Sequence, residues 1–243
     1  RTDDALEQYR ALQTLEPDNS DHTRKVADLV ARSNPGEALP AYRDALAADP
    51  NSVDLIRQVA ELEELAGNRE AALELFQRLV TLDSANEVEI QERILEFADN
   101  MGLGELRVST LKRLLVVRPN NINYRARMAN FYLNENDLRK AKRVLDEALS
   151  LAPRNPELRY LRGEYFHHFW EQDQDNEQLI RNTIQEYKKA QRDADWEPRA
   201  TRRMNEVCPP ESDEQKELIG FMGARDSAAA RRRHEICRSA LGG

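Results

Sequence analysis

The sequence predicts an all-α fold in which helical hairpins stack on one another, and three observations carry that prediction. A spacing of packing residues recurs: Ala5, Tyr9, Leu12 and Pro17, then Ala38, Tyr42, Ala45 and Pro50, then Ala72, Phe76 and Leu79 with Ser84 in the proline place. Leu111, Leu114 and Pro119 follow with Arg107 in the small position, and Ala141, Leu145, Ala148 and Pro153 complete the series. Successive blocks lie 33, 34, 35 and 34 residues apart, and steps of four and three put each block on one helix face. The composition agrees, with 33% charged and 40% hydrophobic residues and only 9 Gly in 243 residues. A single hairpin with such a face cannot bury it alone and needs neighbours of its own kind.

Taken in order, residues 1–18 read as a helix that Pro17 ends. Residues 20–33 form the next helix, with Val26, Ala27 and Val30 inward; Asn34-Pro35-Gly36 turns the chain and 37–49 returns. Residues 52–66 and 69–82 pair around Gly67-Asn68, and 86–101 and 105–118 around Gly102-Leu103-Gly104. Within 122–153, Met128, Ala129 and Tyr132 face Ala141, Leu145 and Ala148; the small Ala residues let the helices approach, and Asp137 offers an N-cap. Residues 155–171 open another pair, a polar insertion around 172–178 lengthens it, and its second helix runs to about Arg192. Trp196–Val207 forms a further helix, stopped by Cys208-Pro209-Pro210. Ser212 to Gln215 has the form of a capping box opening a helix with Leu218, Ile219, Phe221 and Met222, and Ser227–Leu241 is a last, Arg-rich helix.

The 34-residue period, with Ala-x3-aromatic and a closing Pro, resembles the tetratricopeptide (TPR) repeat family. The family's first-helix signature is weaker here: Trp-x2-Leu-Gly is nowhere complete, and only Gly163 occupies the glycine place. The resemblance implies a right-handed superhelical solenoid of about six hairpins. It spans residues 1–197 as the repeat array, with 198–243 as a degenerate repeat or C-terminal helical extension. It also implies a protein-binding scaffold whose concave surface is lined by the first helix of each hairpin. The sequence opens inside a second helix without Met, which reads as a piece of a longer protein.

The formal net charge is −8, from 36 basic and 44 acidic residues; residues 198–243 carry +2, so the first 197 carry −10. A negative solenoid disfavours nucleic acid and anionic membrane as main ligands. No apolar run is long enough to insert in a membrane. Catalytic signatures are also missing: there is no nucleophile elbow, phosphate loop, HExxH or paired Cys motif, so a non-enzyme without cofactor is expected. His167 and His168 are adjacent, point about 100° apart on a helix and cannot chelate a metal together.

Placing the first helices on a concave face brings Asp21, Asp28, Asp54, Glu61, Glu64, Glu89, Glu92, Glu96 and Asp99 together, relieved mainly by Arg24 and Arg57. Such a face would capture a protein partner through a basic segment, or a cationic polysaccharide; a solvated polar surface is the plainer reading. It disfavours the carboxylate clamp by which some TPR proteins hold acidic tails. Tyr160, Tyr165, Phe166, Phe169 and Trp170 crowd eleven residues. Phe166 and Phe169 read as core, and Tyr160 and Trp170 as candidate exposed anchors. Cys208 and Cys237 are candidates for a disulfide across the irregular tail, which would favour an oxidising compartment such as the periplasm over the cytoplasm. By resemblance, the alternative to a general scaffold is a periplasmic TPR segment of bacterial exopolysaccharide export, recruiting a polymer-modifying enzyme or guiding the polymer.

Overall fold

The computed structural model describes residues 2–17, 19–210 and 224–242. Among them are thirteen α-helices, two short 3-10 turns and no strand, packed as two compact units, Arg1–Val117 and Arg118–Gly243. The first unit holds α1 (Thr2–Leu15), α2 (Ser20–Ser33), α3 (Ala38–Ala48), α4 (Val53–Leu65), α5 (Arg69–Leu82), α6 (Glu87–Asn100) and α7 (Gly104–Val117). The second holds α8 (Ile122–Asn134), α9 (Leu138–Leu151), α10 (Pro156–Gln172), α11 (Glu177–Ala190), α12 (Glu197–Val207) and α13 (Ala224–Leu241). Hairpins form from α2 with α3, α4 with α5, α6 with α7, α8 with α9 and α10 with α11. The helix expected around Leu218 to Met222 lies outside the described residues.

Each hairpin starts at a cap written by the repeat. Two residues after the block's proline, Asn19, Ser52, Asn121 and Asn155 accept a backbone N–H of the first turn of α2, α4, α8 and α10. A cap of this kind contributes about 1 kcal/mol. The block with Ser84 in the proline place departs. A 3-10 turn, Ser84–Asn86, precedes α6, and Asn86 makes no side-chain cap. Instead the buried Asp83 accepts from the Asn86 amide and from Arg57, which together hold its carboxyl below the usual range. At the other end of the first helices the chain reverses through a left-handed residue: Gly67, Gly102 and Asn136 have φ of 83°, 69° and 57°. The following amides of Asn68, Leu103 and Asp137 reach back to Glu63, Ala98 and Tyr132 carbonyls, so the terminal acceptors are satisfied.

The packing positions of the repeat form the cores. Ala27, Ala45, Ala60, Ala72, Leu79, Leu111, Ala129, Ala141 and Ala148 are all fully buried. One further block escapes the simple period: Thr183, Tyr187 and Ala190 keep the steps of four and three, and all three are fully buried. They lie 42 residues after Ala141, Leu145 and Ala148, eight more than 34. The extra residues are absorbed at the hairpin tip. With 17 residues α10 is four longer than α8, and the connection Asp173–Asn176 stays short because Asn176 caps α11.

On α10 the buried face differs from the expected one. Phe166 and Phe169 are only half-buried, whereas His167 and Trp170 are buried, at 2% and 6% exposure. The half-buried rings pack edge-to-face on Tyr165 at 5.3 and 5.2 Å instead. Gly163 faces α11 so closely that a Cβ would stand 2.4 Å from a ring carbon of Tyr187. Past residue 197 the chain packs on α11 rather than trailing from it. Ala200, Met204 and Val207 of α12, with Ile236 and Cys237 of α13, share one core with Trp170, Ile184 and Tyr187. Cys208 and Cys237 are disulfide-bonded, and Arg233 donates to the Val207 carbonyl beside them. Lys188 donates to the Leu241 carbonyl at the far end of α13.

Two outcomes test this packing. Gly163→Ala forces the Tyr187 ring aside, and overpacking of this kind costs roughly 1–3 kcal/mol. Hydrogen exchange of α10 and α11 should accelerate while α2 to α7 stay protected. Reducing the disulfide should loosen α13 alone, because the bond closes a 29-residue separation, for which chain entropy assigns roughly 3–4 kcal/mol. Amide exchange with and without reductant measures it, and unchanged protection of α13 would refute the role.

Candidate functional site

In the first unit the first helices α2, α4 and α6 are bridged by arginines. Arg24 of α2 donates to Asp54 of α4 at 3.0 Å, and Arg57 of α4 donates to Glu89 of α6 at 3.1 Å and to Asp83 at 2.8 Å. Arg93 of α6 reaches back to Glu64 of α4 and along its own helix to Glu96. Asp99 pairs with Arg107 of α7, the residue in the small place of its block. Asp28 accepts the Tyr42 hydroxyl at 2.8 Å, whose pKa burial and this carboxylate push up to about 12. The expected relief by Arg24 and Arg57 is therefore joined by Arg93 and Arg107. Asp21, Asp54, Glu61, Glu89 and Glu96 remain exposed to solvent, while Glu64, Glu92 and Asp99 are half-buried.

These pairs divide by burial. The Arg24–Asp54 side chains are 43% and 73% exposed, so the pair contributes about 0–1 kcal/mol. Glu63 of α4 is different: its side chain is 4% exposed, and Arg43 of α3 and Asn68 both donate to it. It fastens α3 to α4 from the side that the sequence reading did not consider.

In the second unit the corresponding helices α8, α10 and α12 border a cavity of about 110 Å³. Its wall holds Asn130 and Asn134 of α8, Glu164, His167 and Glu171 of α10, and Arg203 of α12. Arg203 grips Glu164 through two nitrogens, each 2.7 Å from a carboxylate oxygen, and extends a third donor to Glu206. The Tyr187 hydroxyl donates to the same Glu164 at 2.8 Å. Burial alone would raise the Glu164 carboxyl; Arg203, Tyr187 and Tyr160 outweigh it and hold the carboxyl below its ordinary value. His167 is pushed down, first by burial and then by the Arg203 charge, against the opposing pull of Glu164, Glu171 and Glu206. Its Nε2 stands 3.5 Å from Glu171 and 3.8 Å from Glu206, while its Nδ1 is buried with no partner.

The candidate anchors are corrected here. Trp170 is buried under the Arg233 guanidinium, 5.4 Å from its ring centre. Tyr160 is half-buried between Tyr187 and Trp196, ring centres 5.6 and 5.1 Å away. Burial and the neighbouring Glu164 push its hydroxyl up to about 12. Neither presents a free ring: Arg233 of α13 covers Trp170, and Tyr187 of α11 with Trp196 at the start of α12 flanks Tyr160. Arg203 and Glu206 were missed as site residues. Their i, i+3 spacing on α12 is readable, but their partner Glu164 lies 39 residues before Arg203, beyond any local pattern. No cluster of His, Cys, Asp and Glu suited to a metal occurs among the described residues, and no described helix is long and apolar enough to cross a membrane.

Family models for tetratricopeptide repeats match residues 31–118 and 127–172, together more than half of the sequence. The chain belongs to the tetratricopeptide repeat family. The solved structures agree on the fold. A crystal structure of MamA matches at TM-score 0.50 and 17% identity, over 71% of this chain and 90% of MamA. The structure of YrrB, described as a TPR protein with an unusual peptide-binding site, matches at TM-score 0.52 and 15% identity, over 81% of this chain and 99% of YrrB. No curated protein matches the chain in sequence. The fold is thus an all-α TPR solenoid, and the chain is a TPR-type protein-interaction scaffold. Its first helices are α2, α4, α6, α8 and α10, and most of the carboxylates described above lie on them.

The Glu164–Arg203 pair makes a measurable prediction for this TPR array. Arg203→Met leaves the half-buried Glu164 carboxylate without its cation, a loss of roughly 1–3 kcal/mol. The pH dependence has a definite sign. Both Glu164 and His167 have folded values below their ordinary ones of 4.5 and 6.5, so each binds fewer protons when folded. The His167 contribution is whole above 6.5 and drains as pH falls from there; the Glu164 contribution drains below 4.5. Urea unfolding of the second unit between pH 7 and 3, followed by Trp170 and Trp196 fluorescence, should show His167→Gln flattening the upper part and Glu164→Gln the lower.

Proposed function

We propose that this TPR scaffold captures a basic peptide segment of a protein partner on the first-helix face of α2, α4 and α6. The observation that carries the reading is the balance of charge on that face. The nine carboxylates named from Asp21 to Asp99 stand against Arg24, Arg57, Arg93 and Arg107, whose pairings run mostly between helices. Such pairing fixes the acidic groups without neutralising the surface. A basic segment can then compete for the exposed carboxylates, since each pair it opens costs little. The peptide-binding site named for YrrB supports a peptide as ligand. Binding would add no catalysis and use no cofactor.

A second reading rests on the tail. The Cys208–Cys237 bond favours an oxidising compartment, and a periplasmic scaffold of exopolysaccharide export would present the same acidic face to a cationic polymer.

The test uses a fluorescein-labelled peptide of alternating Lys and Ala, with a Glu-Ala twin. Replacing Glu89, Glu92 and Glu96 together by Lys should weaken binding of the basic peptide at least tenfold and reduce its salt dependence. The helical circular dichroism should remain. An unchanged affinity, or equal binding of the acidic twin, would show that these carboxylates are solvated surface only.

A further inference from the structure

We propose that the cavity at the open end of the α10–α11 hairpin binds a phosphate monoester, the doubly charged group of a phosphorylated partner side chain or of a free phosphorylated ligand. It measures about 440 Å³. Pro153 and Arg154 line it from before α10, Pro156 and Arg159 from the first turns of α10, and Lys189, Arg192 and Asp193 from the end of α11 and just beyond. Four cations therefore face one carboxylate, in a chain whose formal net charge is −8. The inference is independent of the basic-peptide reading, since no residue of the first unit takes part.

Two of the cations are set in place from behind. The buried Glu186 of α11 accepts Arg159 Nη1 on one oxygen and Lys189 Nζ on the other, each at 2.8 Å. Arg159 Nε also donates to the Pro153 carbonyl at 2.7 Å, so this guanidinium is fixed along two edges while its Nη2 stays uncommitted. Arg154 and Arg192 are exposed, and among the described residues no carboxylate pairs with either. Asp193 is turned to its own loop, where one oxygen accepts the Asp195 N–H at 3.0 Å. With Glu186 and Asp193 both counted, the cluster keeps an excess of two positive charges. A phosphate monoester carries about −1.5 to −2 at pH 7 and three acceptor oxygens, which matches that excess; a carboxylate brings a single charge and two oxygens. Guanidinium forks also hold phosphate oxygens in pairs, which favours an arginine-rich wall for this group. The volume exceeds what phosphate alone fills, and Pro153 and Pro156 leave an apolar margin for the carbon that carries the ester.

The experiment titrates the whole chain with a fluorescein-labelled alanine pentapeptide carrying phosphoserine at its centre. Twins carry serine or glutamate there, and inorganic phosphate serves as competitor. The phosphoserine peptide should bind at least tenfold more tightly than the serine twin, and more tightly than the glutamate twin. The double variant Arg154→Gln, Arg192→Gln should lose that preference with unchanged circular dichroism. Lys112→Gln with Arg113→Gln removes the same charge from exposed residues of α7 and should keep it. Equal binding of the serine twin, or a preference that survives Arg154→Gln, Arg192→Gln, overturns the site. Loss of the preference in the α7 variant as well overturns it too, since bulk charge would then explain the binding. Equal binding of the glutamate twin overturns the choice of a dianion. Inorganic phosphate competing as strongly as the peptide binds supports the site with a free phosphate as its ligand; competition only in large excess supports it with a phosphate borne on a peptide.

Discussion

The hairpins around Ala27, Ala60, Ala129 and Gly163 depend on two antiparallel helices coming close at one small residue, with room beside it for a larger one from the partner helix. Ala27 shares a core with Tyr42 and Ala60 with Phe76, while Ala129 and Leu145 are both buried in the α8–α9 hairpin. The limit is reached at Gly163, where the Tyr187 ring takes the space of the missing Cβ. Where the small residue becomes Leu95, the facing position carries Leu111 in place of an aromatic, and both are fully buried. Close-packed interiors tolerate such exchanges only when total volume is conserved. The steric rule also builds the polar site. Tyr187 is pressed onto α10 at Gly163, and its hydroxyl therefore meets Glu164 on the next residue, which in turn orients Arg203 of α12.

That rule made the fold legible. A spacing of four, three and five residues survives from block to block because each position touches a neighbouring helix and little else can fill it. It faded where geometry found another solution. Ser84 removes the proline, and Asp83, Asn86 and Arg57 hold the chain with a polar knot that no apolar period records. Thr183, Tyr187 and Ala190 keep the pattern after eight extra residues, but an insertion that lengthens both helices at the hairpin tip shifts the phase that a fixed period looks for.

The sites were less legible, for a different reason. Charge sign can be read from sequence, but pairing cannot, since the partners Arg24 and Asp54, Arg57 and Glu89, and Arg203 and Glu164 lie 30, 32 and 39 residues apart. The assignment of Phe166 and Phe169 to the core followed their hydrophobicity and their helical spacing. On a helix contacted by α8, α9 and α11, angular position decides burial, and the phenylalanines pack sideways on Tyr165 while the histidine points inward.

Burial then separates the two sets of carboxylates by what they can do. An exposed ion pair such as Arg24–Asp54 exchanges protein partner for water or for a ligand's charge at small cost, so it adds little stability and can be competed for. A half-buried, bidentate pair such as Glu164–Arg203 costs more to open, because the carboxylate left behind is partly withdrawn from water. Behind it, His167 is held inside with its Nδ1 buried and without a partner, while Glu171 one turn on stays largely exposed. Exposed pairs of the first kind weaken with added salt, whereas the half-buried pair is screened less. The two chemistries follow from the same repeat, and the difference between them is the depth at which each carboxylate sits.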